Sequence, residues 1–149
     1  MVSFTFDDFP KSAFTNGHEI LARNGARGTY YVATALAGTR DEVGQMFDIE
    51  DVRAAHSQGH EVACHTHTHL NCAKATKSEL LAQIRENASA LASLLDGAAP
   101  TNFAYPYGAV SPRAKHVLGP RFSSCRGITA GINHENTDLA DLCANKIYS

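Results

Sequence analysis

The segment Gly59-His60-Glu61-Val62-Ala63-Cys64-His65, continued by Thr66-His67-Thr68-His69, joins a short apolar run to a cluster of imidazoles. Glu61 to His65 has the length and composition of a strand. The polar cluster begins where this strand is predicted to end. Because α/β folds gather their chemistry at the carboxyl ends of strands, this one segment predicts both a fold class and a site.

Four other segments have the same strand-like composition, and each is followed by a helical pattern or a loop. They are Val2 to Phe6, Thr29 to Ala33, Asn102 to Tyr105 and Phe122 to Arg126. With Glu61 to His65 they make five predicted strands.

Helices are predicted between the strands. The capping box Thr76-Lys77-Ser78-Glu79 starts one that lasts until Gly97. Its apolar residues recur at helical spacing: Leu80, Ile84, Ala88, Leu91 and Leu95. Asp48 is expected to cap a second helix that runs through Val52 to Gln58 before Gly59. A third is predicted between Thr15 and Asn24, ended by Gly25, and a short one after Ser111-Pro112.

Strands that alternate with helices, without hairpin signals between neighbouring strands, predict a parallel sheet and an α/β fold. An open doubly wound sheet would show the same alternation. No Gly-x-Gly-x-x-Gly motif follows the first strand, which disfavours a dinucleotide-binding sheet. We therefore favour a barrel.

Composition narrows the functional classes. The chain has 149 residues, 44% of them hydrophobic, a size expected of one globular domain, and its formal charge of −2 comes without a basic stripe for nucleic acid. No run of apolar residues is long enough to predict a membrane span. Met1-Val2-Ser3-Phe4 lacks a signal-peptide pattern, so a cytoplasmic location is expected if this start is native. The oligomeric state is left open.

Cysteines give no sign of a redox or zinc-ribbon motif. They stand at positions 64, 72, 125 and 143 without a Cys-x-x-Cys pair, so buried free thiols are expected. Cys64 and Cys72 flank the histidines, but a mixed structural site would show a second tight pair.

The first predicted strand ends in two adjacent carboxylates, in Ser3-Phe4-Thr5-Phe6-Asp7-Asp8. Successive side chains of a strand point to opposite sides, so Asp7 and Asp8 can take different roles. Taken alone, the pair is equally typical of a turn or helix cap.

The histidine run is more informative. In an extended chain His65, His67 and His69 share a side, whereas in a helical turn His65 and His69 pair. Two histidines and one carboxylate leave coordination positions open for water and substrate, as a catalytic ion requires. With Asp8 as third ligand and Asp7 as base, this is the chemistry of amide hydrolysis. A solvated polar loop is the alternative.

The remaining histidines are isolated, and surface or core positions are expected for all of them. They are His18, His56, His60, His116 and His134.

Four motifs together resemble the NodB-homology polysaccharide deacetylases, carbohydrate esterase family 4, over about residues 2–127. They are Thr5 to Asp8, Gly28 to Val32, Gly59 to His69 and Phe103 to Gly108. The resemblance implies a distorted (β/α) barrel and a hydrolase acting on the carbon–nitrogen, non-peptide bonds of an acetylated glycan.

By position, the resemblance makes Asp7 the catalytic base. It places Asp8, His65 and His69 on a divalent metal ion, with zinc expected and cobalt or nickel also compatible. His67 falls between the ligand positions and is expected to be a neighbour of the metal. Whether the acetyl group sits on nitrogen or oxygen is left open.

The third motif departs from the family pattern. Tyr107 matches the tyrosine whose backbone N–H serves the oxyanion, but Ala104 stands where the family has an arginine. We hypothesise that Arg126, at the end of the next strand, supplies this charge to Asp7. Tyr105 and Tyr107 are candidates for a sugar-binding groove or for the core.

The C-terminal region shows a second departure. The chain stops at Tyr148-Ser149 before a Leu-x-x-His motif, and His134 lacks the apolar pattern to replace it. Residues 1–149 are therefore expected to form a single, incomplete domain, a partial barrel whose C-terminal strands are missing.

Two other functions are kept as alternatives. A deacetylase-like domain without turnover would bind metal or glycan only. A two-histidine, one-carboxylate iron oxygenase would use the same ligands. The second aspartate argues against the oxygenase, since that reaction needs no adjacent base.

Overall fold

A computed structural model describes residues 2–147, and the end of the chain at Tyr148-Ser149 lies outside the described residues. One five-stranded sheet organises the fold, and each neighbouring pair of strands is parallel. The strands are β1 Phe4–Phe6, β2 Gly28–Val32, β3 Glu61–Cys64, β4 Asn102–Ala104 and β5 Ser124–Arg126. All five predicted strands are confirmed, most of them a residue or two shorter than expected.

The strand order distinguishes the two candidate architectures. Spatial order follows chain order, β1-β2-β3-β4-β5, without reversal. A doubly wound sheet would reverse its order at a switch point, whereas a (β/α) barrel progresses in one direction. The sheet is thus a partial barrel of parallel strands.

Five helices connect the strands: α1 Lys11–Thr15, α2 Gly17–Arg23, α3 Ile49–Ser57, α4 Lys77–Ala92 and α5 Pro112–Leu118. The predicted capping box of α4 is present, with the Thr76 side chain accepting from the Glu79 N–H. Asp48 caps α3 in the same way, and Ser111 caps α5. These starts were predictable because the cap and the backbone it binds are close in sequence.

The helix predicted between Thr15 and Asn24 is confirmed as α2, which ends at Arg23, just before Asn24 and Gly25. The short helix α1, which begins after Pro10 and ends at Thr15, was not predicted. The Phe6 ring lies 3.1 Å from where a Cβ on Gly17 would stand. This close approach of β1 to the backbone is a tertiary contact that helical periodicity does not reveal.

Two main apolar clusters form the core between the helices and the sheet. One packs α4 and α5 on β3, β4 and β5, and includes Leu80, Ile84, Phe103, Val117 and Leu118. The other packs α3 and the loop after β1 on β2, and includes Phe9, Tyr30, Phe47, Val52 and Leu91.

The cysteines are free, as expected, and Cys64, Cys72 and Cys125 are buried while Cys143 is half-buried. The buried stripe of α4 departs from the prediction at one position. Asn87 is fully buried where Ala88 was expected, and Ala88 is only half-buried.

The C-terminal segment lies along the free side of β5. Cys125 donates its N–H to Leu139 O (2.7 Å) and accepts from Leu142 N–H (2.8 Å), and Gly127 N–H donates to Leu142 O (2.9 Å). A parallel bridge joins Arg126 and Leu142. The backbone N–H and C=O groups of Cys125 and the N–H of Gly127 therefore have hydrogen-bond partners at this edge of the sheet.

Within residues 2–147, the helices are all too short or too polar to cross a membrane.

Candidate metal centre and active site

A tight turn after β1 directs the two aspartates to different partners. Asp8 and Phe9 both have left-handed backbone conformations, with φ of 59° and 55°. Such conformations are unfavourable for residues other than glycine, and Phe9 is fully buried against Tyr30, which holds the turn in place. Asp8 consequently faces the histidines, while Asp7 faces β5.

The first histidine is fixed by the neighbouring strand. His65 follows β3 and is 1% exposed, and its Nδ1 lies 2.8 Å from the Ala104 carbonyl oxygen of β4. Since a carbonyl only accepts, Nδ1 carries the proton and donates it. Nε2 therefore presents its lone pair to the site, the arrangement typical of a metal-ligating histidine.

Three ligand atoms converge at the ends of β1 and β3. Asp8 Oδ1 lies 3.0 Å from His69 Nε2 and 3.4 Å from His65 Nε2. Ligand atoms from the three residues all lie within 4.8 Å of one another, and no other group of three or more metal-ligating side chains occurs within residues 2–147.

The donor set fits a divalent cation. Asp8 Oδ1 is buried and has no hydrogen-bond partner within the described chain, although two imidazole nitrogens face it. A carboxylate oxygen and two nitrogen lone pairs repel one another unless a proton or a cation lies between them. Two histidines and one carboxylate suit zinc, cobalt or nickel, and leave positions open for water and substrate.

Protonation states favour the same conclusion. Burial raises the pKa of Asp8, but the proximity and charge of His65, with the charges of His69 and Arg126, outweigh it and hold the pKa below its ordinary value. Burial lowers the pKa of His69 despite the opposing charge of Asp8. A lowered pKa favours the ionised carboxylate of Asp8 and the neutral imidazole of His69, which are the forms that bind a metal.

Asp7 forms an ion pair with Arg126. Arg126 Nη1 donates to Asp7 Oδ2 over 3.0 Å, and Nη2 donates to Asp7 Oδ1. The guanidinium carbon lies 4.8 Å from the centre of the Tyr31 ring, a cation–π contact. Burial lowers the pKa of Arg126, but Asp7 raises it further, so the pKa ends above its ordinary value. Asp7 therefore has a permanently charged partner.

Strand register explains how Arg126 reaches this place. Ala104 of β4 and Arg126 of β5 are paired in the parallel sheet. Paired residues of neighbouring strands point to the same face, so the two positions address the same space. The sequence-based hypothesis on Arg126 requires this juxtaposition.

Tyr107 lies on the open side of the site. It has a left-handed conformation (φ 60°), its ring centre is 4.3 Å from that of His69, and it is 65% exposed. One cleft is lined by Tyr107, both aspartates and both histidines. Tyr105, in contrast, is buried and its hydroxyl donates to Ala140 O (2.9 Å), so it belongs to the core.

Most of the side chains that support the site carry no signal in the sequence. Gln83 and Asn87 of α4 contact the residues around the histidines, and Thr34 connects Asn87 with His67. A signal existed for Asn87 alone, because it is a polar residue on the apolar stripe of a helix. Among the isolated histidines, His60 is buried and His18 Nδ1 lies 2.8 Å from its Nε2.

A family model described as polysaccharide deacetylase matches residues 1–119. A chitin deacetylase of Arthroderma benhamiae is 30% identical over 118 residues, which are 78% of this chain and 30% of that protein. A chitooligosaccharide deacetylase of Sinorhizobium fredii is 31% identical over 108 residues, 72% of this chain and 46% of that protein. The chain thus spans less than half the length of these relatives.

A solved structure shares the fold. The Streptococcus pyogenes deacetylase PplD, determined in complex with acetate, superposes with a TM-score of 0.83 and 19% identity. The superposition covers 95% of this chain and 62% of that one. At this identity the likeness supports the partial barrel and carries no information on substrate.

Proposed function

The chain belongs to the polysaccharide deacetylase family, and from that premise we propose that it is a metal-dependent hydrolase that removes acetyl groups from an N-acetylated glycan. The observation that carries the proposal is the convergence of Asp8, His65 and His69 beside the Asp7–Arg126 pair. In this proposal Asp8 holds a cation together with the two histidines, and Asp7 exchanges a proton with the attacking water.

Asp8, His65 and His69 would hold the ion. A divalent ion bound there supplies Lewis-acid polarisation of the acetyl carbonyl and acidifies a water molecule. The burial of His65 and its bond to Ala104 keep one ligand rigid, while the partly exposed Asp8 and His69 leave the ion accessible from the cleft.

Asp7 is proposed as the general base. Its carboxylate accepts a proton from the attacking water as the water oxygen bonds to the acetyl carbon, and Arg126 holds the carboxylate in orientation. The carbon–nitrogen bond then breaks, the amine takes up a proton, and acetate and a free amino sugar are released. The Tyr107 backbone N–H is proposed to stabilise the oxyanion.

We propose a chitin-type oligosaccharide of N-acetylglucosamine as substrate. The supporting observation is that curated relatives with about 30% identity are named chitin and chitooligosaccharide deacetylases. The exposed Tyr107 ring beside His69 offers an aromatic surface of the kind on which sugar rings pack.

The test is acetate release from N-acetylglucosamine oligomers, with and without a chelator. Chelation should abolish release and zinc should restore it. Asp7→Asn should lower kcat about 100-fold or more, as expected for loss of a general base. Asp96→Asn is the matched control, because Asp96 is exposed and far in sequence from the site, and it should leave the rate unchanged.

Other outcomes would identify the alternatives. Metal binding without acetate release from any acetylated glycan would show a binding domain without turnover. Oxygen uptake with iron and an oxo-acid would show an oxygenase, although the all-parallel sheet is not the antiparallel double sheet expected for that class.

A further inference from the structure

Helix α4 contacts the loop that carries the two histidines. We call this loop, residues 65–69, the ligand loop. The Gln83 side chain binds its backbone between the two proposed ligands. Gln83 Oε1 accepts from the backbone N–H of His67 (3.0 Å) and of Thr68 (2.8 Å), and from Thr68 Oγ1 (3.1 Å). One oxygen therefore fixes two successive peptide units.

Asn87, one turn further along α4, ties the ends of β2 and β3 together. Its Nδ2 donates to Val32 O (3.0 Å) and to Cys64 Sγ (3.2 Å). Its Oδ1 accepts from Thr34 N–H (3.0 Å) and from Thr34 Oγ1 (2.8 Å). The side chain is fully buried and uses both its donor and its acceptor groups.

Thr34 extends this network to His67. Its hydroxyl proton is donated to Asn87, so it can only accept from His67 Nδ1, which lies 2.7 Å away. The backbone of His67 is bound as well. Its carbonyl oxygen accepts from Ala35 N–H (2.9 Å), and the His67 N–H donates to Gln83 Oε1. His67 is thus anchored by its ring and by both its backbone groups, which fits a neighbour of the ligands better than a ligand.

The ligand loop needs such support because its backbone is strained. Thr66 and His69 have left-handed conformations, with φ of 60° and 56°, which residues with a Cβ adopt unfavourably. At the end of the loop, Thr66 Oγ1 accepts from Leu70 N–H (2.9 Å). The bonds from Gln83 and Thr34 add restraints from other elements, as does the bond from His65 to Ala104.

We propose that Gln83, Asn87 and Thr34 are positioning residues that preorganise the ligand loop for the metal, so that His65 and His69 present their ring nitrogens to Asp8 before the ion binds. The inference rests on the proposed metal site and extends it to α4. Groups that orient metal ligands commonly change metal affinity or activity about 10- to 100-fold when removed.

Metal affinity of Gln83 variants tests the proposal directly. Co²⁺ is titrated into the metal-free protein, and its binding is monitored through the absorption spectrum of the bound ion. Zn²⁺ affinity is measured by competition with a chelator. Gln83→Leu removes the acceptor and should weaken binding about 10- to 100-fold. Gln83→Glu keeps an acceptor oxygen at the same place and should retain wild-type affinity or exceed it. Glu86→Leu, on an exposed position of the same helix, is the control.

A second variant addresses the buried part of the network. Thr34→Val keeps the shape but removes the hydroxyl between Asn87 and His67, and should also weaken Co²⁺ binding. The exposed Thr101→Val is its matched control. Melting temperatures of all metal-free variants separate loss of folding from loss of affinity.

The outcomes separate this inference from the proposed function. If the wild-type protein binds neither Co²⁺ nor Zn²⁺, the metal site fails and the inference fails with it. If the wild type binds metal but Gln83→Leu and Thr34→Val match it, the site stands and the positioning role is overturned. Equal losses in Gln83→Leu and Gln83→Glu would overturn it as well, because rescue by the carboxylate is required.

Discussion

Replacing Arg126 by methionine should impair turnover more than folding. The substitution removes the guanidinium that binds Asp7 and leaves an apolar chain beside Tyr31. A hydrogen bond to a charged group contributes about 1.5–3 kcal/mol, and since the Asp7 side chain is 36% exposed, water compensates part of it. We therefore expect the variant to lose about 1.5–2 kcal/mol of transition-state stabilisation. At about 1.36 kcal/mol per tenfold, this loss predicts a 10- to 30-fold fall in kcat/KM for acetate release.

Stability should change less, by about 1 kcal/mol. Methionine introduces no uncompensated buried charge, and Asp7 keeps access to water. The measurements are initial rates on N-acetylglucosamine oligomers and urea unfolding of the same samples. Arg53→Met is the control, because the pair that Arg53 forms with Glu50 is exposed.

A compensating pair gives a stricter test. Ala104 and Arg126 are partners in the sheet, and neighbouring strands are about 4.8 Å apart, so Ala104→Arg can direct a guanidinium to the same carboxylate. Activity lost in Arg126→Ala should return in part when Ala104→Arg is added. Unchanged activity of Arg126→Ala alone would refute the assigned role of Arg126.

Two further predictions concern stability. His60 Nδ1 accepts from Gly28 N–H (3.0 Å), and burial, with the charges of His18 and Arg27, lowers the pKa of His60. The folded state therefore binds a proton on His60 less readily than the unfolded state does. The neutral His60 ring contributes fully to stability above about pH 6.5, and this contribution is lost as the pH falls toward the pKa of His60 in the folded state. The melting temperature should fall more steeply below that pH than in His60→Asn, which keeps an acceptor for Gly28; parallel pH profiles would contradict this. Gly108→Ala should cost about 1 kcal/mol more in unfolding free energy than Gly25→Ala. Both glycines have positive φ, but of the two only Gly108 would bring a new Cβ against a side chain, that of Ile128. Equal losses in urea unfolding would show that the Ile128 side chain moves aside at no cost.

Local signals predicted most of the fold. The strands followed from apolar runs, and α3 and α4 from capping residues that act within one turn. The short helix α1 was not predicted, because its five residues have neither a capping side chain nor a buried apolar stripe. The pairing of residues 139–142 with β5 was also missed, since it arises from the backbone needs of a sheet edge and not from a strand-like composition.

The site was predictable to the level of its residues. Asp8, His65 and His69 belong to motifs at strand ends, so the parallel topology was sufficient to bring them together. No sequence pattern indicated that Gln83 supports the site, because its contact depends on the position of one side-chain oxygen relative to Thr68, fifteen residues earlier. The catalytic roles of Asp7, Tyr107 and Arg126, the bound metal and the incomplete domain stay predictions.

The pairing of the C-terminal segment with β5 makes the proposed active site depend on a distant part of the chain. Leu139 and Leu142 hydrogen-bond to either side of Arg126, and the connecting residues 128–130 and 132–136 are exposed. A single proteolytic cut in this connection would leave the segment that covers β5 held by hydrogen bonds and packing alone, without its covalent tether. The orientation of the proposed base would then depend on the integrity of an exposed loop that follows its arginine partner in the chain.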